Sequence, residues 1–294
     1  MDKYIQADFD YAYSYCKEIA ISHYENFPVG SLLIPKKKRK FIYNIYAFAR
    51  FADDIADLVK YSEKEKLHKL NELDIELTKI ENGHLDNLLP ETKNIFIALY
   101  NTINELRIPV EEFRNLLSAF KQDAVRQSYQ TFEELLEYSE CSANPVGQLV
   151  LYVFGYGPER DKKVFERSDK ICTALQLTNF WQDVSVDLNM KRVYIPHQIM
   201  KEYGYDERLL FQKLENDDFR KIIKFLVNKT QEMFDEGKEI VNMLSGRLKL
   251  EIKATIAGGE EILNKIESIN YNVLSERVDI NNFDKLKLLG KAFF

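Results

Sequence analysis

Residues 46–57 read Tyr46-Ala47-Phe48-Ala49-Arg50-Phe51-Ala52-Asp53-Asp54-Ile55-Ala56-Asp57. Residues three or four apart share a face of an α-helix. Tyr46, Arg50, Asp53 and Asp57 therefore line up, while Phe48, Phe51, Ala52 and Ile55 fall on other faces. Residues 176–187 repeat the layout: Gln176-Leu177-Thr178-Asn179-Phe180-Trp181-Gln182-Asp183-Val184-Ser185-Val186-Asp187. Here Gln176, Asn179, Asp183 and Asp187 form the stripe, flanked by Leu175, Leu177, Phe180, Val184 and Val186. A strip of polar oxygens on an otherwise apolar helix is unfavourable unless something satisfies it. An exposed, merely solvated helix would not carry Phe48, Phe51, Phe180 and Trp181 around its acids.

Outward from these two stretches, apolar residues recur at helical spacing almost throughout. The pattern predicts helices over residues 5–24, 38–60, 63–81, 91–106, 110–128, 131–155, 160–189, 215–246 and 250–275. Breaks are expected at Pro28-Val29-Gly30, Asn82-Gly83, Gly155-Tyr156-Gly157-Pro158 and around Pro196, with a kink or break at Pro145. Eleven glycines and seven prolines in 294 residues favour long helices over short strands and turns. With no internal repeat and no Gly/Ser-rich linker, the expectation is one all-α domain spanning residues 1–294.

The bulk composition excludes several classes of function. A formal charge of −6, with no strongly basic half, does not supply the cationic surface that nucleic-acid binding needs. No apolar run approaches the ~18 residues of a membrane-spanning helix, and the start lacks the layout of a signal peptide. The expected location is the cytoplasm, with peripheral contact to the inner membrane as an open option. That option rests on Lys36-Lys37-Lys38-Arg39-Lys40, which reads first as a solvated loop and second as a contact for anionic headgroups. Cys16, Cys141 and Cys172 make no CxxC pair and read as small core residues. His23, His68, His84 and His197 show no metal-ligand spacing, so zinc is not expected. Nothing in the sequence sets an oligomeric state.

Hard divalent cations take oxygen ligands, and magnesium typically takes one or two carboxylates together with water and substrate phosphate oxygens. Two helices face to face, each with a carboxylate pair, would hold a magnesium cluster. A diphosphate would complete the coordination, with Arg50 and Arg192 on its outer oxygens. The metal would make diphosphate a good leaving group. The carbocation left behind needs an apolar cavity that excludes water, with aromatic faces to stabilise it. Tyr46, Tyr138 and Tyr194 are the hydroxyls expected near it.

In both stretches, and in Arg192-Val193-Tyr194-Ile195-Pro196 with Tyr138, Ala143 and Val146-Gly147 between them, the chain resembles the squalene/phytoene synthase family. The resemblance covers nearly the whole length. It implies an all-α isoprenoid synthase fold around a deep central cavity. It further implies that Asp53, Asp57, Asn179, Asp183 and Asp187 serve a magnesium–diphosphate site lined by Arg50, Arg192, Gln176, Tyr46, Tyr138 and Tyr194. Within the family, several segments resemble hydroxysqualene synthase: His23 to Val29, Phe48 to Asp54, Ser142 to Gly147, Asn179 to Asp183, and Gly258-Gly259. Such an enzyme takes presqualene diphosphate and lets water capture the cation. It needs no NADPH, and the chain has no GxGxxG fingerprint. Where head-to-head synthases commonly carry serines before the first motif, this chain has Tyr24 and Asn26. This departure speaks against condensing two farnesyl diphosphates. Tyr138, Asn144 and Gln182 are the candidates for positioning water. The alternatives left open are a family member that condenses two prenyl diphosphates and a non-catalytic assembly relative; a helical lipid-binding module would not explain four aligned carboxylates with Arg50 and is set aside.

Overall fold

A computed structural model describes residues 6–22, 33–281 and 284 of the chain. The helices run in the order α1 Gln6–Ser22, α2 Lys36–Asp57, α3 Glu63–Glu81, α4 Lys93–Leu106 and α5 Glu111–Asp123. They continue with α6 Phe132–Ser142, α7 Asn144–Phe154, α8 Lys162–Gln182, α9 Val184–Asp187 and α10 His197–Glu202. The last are α11 Glu207–Phe211, α12 Asp217–Gly237, α13 Ile240–Met243 and α14 Gly246–Ser268. Among the described residues no strand forms; one isolated parallel bridge joins Ser128 to Val193. The chain divides into two compact units, Met1–Val125 with Pro145–Asp161, and Arg126–Asn144 with Lys162–Phe294.

In the first unit α2 packs on α1, α3, α4 and α5. Its buried side is made by Phe41, Ile42, Ile45, Phe48, Ala52 and Ile55, among others. Phe48 meets Phe96 and Phe113 edge-on, with centroids 5.9 and 5.4 Å away. The basic run is not a loop but the first turn of α2. Cations there oppose the helix dipole, and the fold offsets this by giving three of the five a partner. Lys38 donates to the Val153 carbonyl at the C-terminal end of α7, where positive charge is favoured, and lies over the Phe154 ring. Arg39 Nε donates to the Ile34 carbonyl at 2.9 Å, and Lys40 pairs with Glu105 at 3.3 Å. Only Lys36 and Lys37 of the run are exposed.

In the second unit α8 packs on α12, α14, α6 and α13. Trp181 is fully buried, and its indole N–H donates to Thr230 Oγ1 of α12 at 2.8 Å. Two glycines let the helices close on α8. A Cβ on Gly237 would lie 2.6 Å from Ile171, and one on Gly259 would lie 2.5 Å from Phe234 and 2.9 Å from Leu175.

Several boundaries differ from the periodicity. The helix expected over 131–155 breaks at Ala143, which puts Pro145 in the first turn of α7, where its missing N–H costs nothing. The helix expected over 160–189 stops at Gln182, and Asp183 leaves helical geometry at φ −101°, ψ 12°. The 215–246 pattern divides into α12 and α13. Gly246, at φ +59°, then starts α14 ahead of the expected residue 250. Residues 270 and 271 both have positive φ, which ends α14 at Ser268, short of 275. α10 and α11, of six and five residues, are too short to show a period. Of the cysteines only Cys16 is buried; Cys141 and Cys172 are half-buried, so the reading as core residues holds for one of three. Pro28-Val29-Gly30, the His23–Val29 segment, and the apolar residues Leu288, Leu289, Phe293 and Phe294 lie outside the described residues.

Two predictions follow from this packing. Gly259→Ala should lower stability by ~1–3 kcal/mol in urea denaturation, although alanine is the better helix former, because the methyl overpacks a closed interface. Burial pushes the Cys16 thiol up to about 12, so at pH 8 the folded protein holds it as the unreactive thiol. Iodoacetamide at that pH should label Cys16 in urea and spare it in the native protein, as read by mass spectrometry.

Candidate active site

α2 is buried on most of its circumference and open along one stripe, which carries Tyr43, Tyr46, Arg50, Asp53, Asp54 and Asp57. The structure thus puts Tyr46, Arg50, Asp53 and Asp57 on the common face expected of them. Arg50 donates to Asp54 Oδ1 at 2.6 Å and reaches Asp53 Oδ2 at 3.4 Å. Its tighter partner is one turn on, at i+4, rather than at i+3. Among the described residues the buried Arg50 Nε meets no hydrogen-bond partner. A guanidinium fixed by two carboxylates, with an N–H to spare, suits a further anionic oxygen. Burial pushes the Tyr46 phenol above its ordinary value; Arg50 opposes the shift and Asp53 and Asp54 add to it. At neutral pH this hydroxyl is protonated and can donate a hydrogen bond.

The second stretch is built differently at its end. Gln176 and Asn179 lie on the open side of α8, with Asn179 exposed, as the stripe requires. The helix ends before Asp183, so the stripe does not continue as regular helix. Asp187 still follows one turn on, because its N–H bonds the Asp183 carbonyl at 2.8 Å. Arg277 Nε donates to Asp183 Oδ1 at 2.6 Å, and this bond raises the Arg277 pKa above its ordinary value. Arg277 also pairs with Asp279, while Gln182 Nε2 donates to the Val278 carbonyl at 2.6 Å. Residues 277–279 therefore clasp the second acidic stretch.

After Asp187 the chain turns through Lys191 at φ +60°, and the Arg192 N–H bonds the Asp187 carbonyl at 2.9 Å. Val193 then bonds the Gln127 carbonyl, which fixes Tyr194. Tyr194 stacks on Phe180 with ring centroids 3.8 Å apart and planes 10° from parallel. Tyr138 lies 6.4 Å from Tyr194 and 6.0 Å from Phe180, so two of the three expected tyrosines share one aromatic group. Tyr129 completes it at 5.6 Å from Tyr138 and 5.8 Å from Tyr194, with Arg126 over its ring at 4.0 Å. Asp187, Arg192 and Tyr194 line one small cavity of about 10 Å³. Among the candidates for holding water, Asn144 accepts from Thr173 at 3.0 Å and Gln182 is tied to residue 278. Both amides brace α8.

Among the described residues no three Asp, Glu, His or Cys side chains gather into a metal cage. The donor sets still fit magnesium, which needs only one or two protein carboxylates once substrate oxygens and water fill the shell. Asp53 with Asp57, and Asp183 with Asp187, supply such pairs one turn apart.

The sequence reading missed Asp54, Arg277 and Tyr129. Asp54 was legible through the i,i+4 rule from Arg50. Arg277 carries no such signal, being 94 residues from the acid it meets. Tyr24 and Asn26 lie outside the described residues.

The family model for squalene/phytoene synthase matches residues 21–284. This chain belongs to the squalene/phytoene synthase family. It is 29% identical to a hydroxysqualene synthase of Sinorhizobium fredii over 91% of this chain and 87% of that protein. It is 26% identical to a 15-cis-phytoene synthase of Synechococcus elongatus, over 96% of this chain and 92% of that one. Among solved structures, squalene synthase HpnC from Alicyclobacillus acidocaldarius superposes with a TM-score of 0.83 at 32% identity, covering 91% of this chain and 97% of that one. A dehydrosqualene synthase shares the fold at the same TM-score and 22% identity, over 98% and 97% of the two chains. The architecture is thus the all-α isoprenoid synthase fold, and the protein is a prenyl diphosphate-dependent terpenoid synthase. No described helix is long and apolar enough to cross a membrane.

Asp54→Asn should leave the fold intact and lower kcat/KM by about 10–100-fold, because it loosens Arg50 without touching Asp53. Thermal denaturation alongside steady-state kinetics separates this from simple destabilisation.

Proposed function

We propose that the protein converts presqualene diphosphate to hydroxysqualene and diphosphate, with magnesium as cofactor and no nicotinamide. The observation that carries the diphosphate chemistry is the open stripe of α2, where the Arg50 guanidinium stands beside the carboxylates of Asp53 and Asp54. Support for the hydroxysqualene reaction comes from the S. fredii relative and from Tyr24 and Asn26 in place of serines.

Asp53 and Asp57 in the first unit, and Asn179, Asp183 and Asp187 in the second, would be the ligands for magnesium. When bound, the metal neutralises charge developing on the leaving diphosphate. Arg50, Arg192 and Gln176 bind outer oxygens of that group, with the Tyr46 hydroxyl as a further donor. The carbon–oxygen bond breaks and its electron pair leaves with diphosphate. The cyclopropane then opens beside the faces of Phe180, Tyr138 and Tyr194, which stabilise positive charge without reacting. Water adds to the cation and loses its proton, and the Tyr138 hydroxyl is our candidate to orient that water. Our reading keeps the enzyme in the cytoplasm. Lys36 and Lys37 are the part of the basic run open to anionic headgroups, at ~1 kcal/mol each.

Purified protein, given magnesium and either farnesyl diphosphate or presqualene diphosphate, should form hydroxysqualene from the second alone. Presqualene diphosphate or a hydrocarbon formed from simple prenyl diphosphates would replace this reading with the condensing one, which the phytoene synthase relatives represent. Asp53→Ala and Asp183→Ala should each lower turnover by about 10²-fold or more; normal turnover in either would refute the metal assignment.

A further inference from the structure

The adjacent glycines Gly258 and Gly259 stand in the middle of α14. Glycine weakens a helix interior, so each needs a reason. Gly259 has one in the protein itself, since its Cβ would collide with Phe234 and Leu175. Gly258 has none. Among the described residues the nearest atom to its missing Cβ is Ile280 Cδ1 at 3.7 Å, an ordinary contact, and its φ is not in the left-handed region. Among the described residues, what lies beside it is a cleft of about 270 Å³ walled by α8, α14 and Ile280.

The cleft reaches Asn179 and Gln182 at one side and Leu175 and Ile262 at another. Its other polar walls have spent their donors inside the protein. Thr178 Oγ1 donates to the Ala174 carbonyl at 2.7 Å, Thr255 Oγ1 to the Glu251 carbonyl at 3.0 Å, and the Gln182 amide to residue 278. Such a surface favours a hydrocarbon over a polar solute. Its volume is near the lower end of the ~300–1,000 Å³ typical of small-molecule clefts, enough for part of a polyprenyl chain.

We propose that Gly258 is a chain-length determinant: by lacking a side chain it leaves the α8–α14 cleft open to the prenyl segment of a substrate whose diphosphate is held at Asn179 and Asp183. This rests on the synthase reading above. The cleft then continues the diphosphate site into apolar surroundings, and any side chain at 258 subtracts from the hydrocarbon it can admit.

The test is binding, with magnesium, of inorganic diphosphate and of geranyl, farnesyl and geranylgeranyl thiolodiphosphates, by calorimetry. Gly258→Leu should weaken the geranylgeranyl analogue at least tenfold relative to the geranyl one while leaving inorganic diphosphate within twofold. Gly258→Ala should stay near wild type. If Gly258→Leu does not fold, Ile280→Phe narrows the same cleft from the other wall and should shift preference in the same direction. Equal loss across all chain lengths, or no change in a folded variant, overturns the proposal and leaves the synthase reading standing. A wild-type protein that binds neither inorganic diphosphate nor any prenyl analogue overturns both.

Discussion

The close approach of α12 and α14 to α8 is the constraint on which the second half of the enzyme depends. Gly237 and Gly259 are the residues that permit it, and the buried Trp181–Thr230 hydrogen bond pins the register. Dense packing of this kind transmits small shape changes because there is little void to absorb them. The same helix that buries Trp181 also presents Gln176 and Asn179 on its open side. Precision at the polar stripe is thus inherited from the apolar faces behind it.

α2 follows the same logic with different chemistry. Its apolar side is locked by the Phe48–Phe96–Phe113 edge contacts, and on its open stripe two carboxylates, Asp53 and Asp54, close on one guanidinium. Repulsion between Asp53 and Asp54 is relieved by Arg50 within the first unit and would be relieved further by a divalent cation. An arrangement this acidic is poised to take positive charge from outside the chain.

Much of this was legible in the sequence because a helix makes neighbours of residues three and four apart. The stripe Tyr46–Arg50–Asp53–Asp57 and the limits of α3, which Ser62 and Glu65 cap reciprocally, needed only that rule. The break at Asp183 was not legible, since nothing in Gln182-Asp183-Val184 forbids a helix; the tertiary clasp by residues 277–279 accompanies it instead. The lysine run misled for a related reason. Charge density suggested solvent, whereas the Val153 carbonyl and Glu105 that absorb Lys38 and Lys40 are distant in sequence. Local periodicity reports local structure, and side-chain partners brought in from far along the chain escape it.

The Arg277–Asp183 clasp also bears on the order of events during synthesis. Chains emerge at about 5–20 residues per second, so a pairing across 94 residues is delayed by several seconds after Asp183 itself appears. Throughout that interval Asp183 lacks the Arg277 guanidinium. α2 has no such wait, because Arg50 lies one turn from its acids. Asp183 and the acids of α2 therefore gain their cationic partners on different schedules, with the ribosome setting the lag.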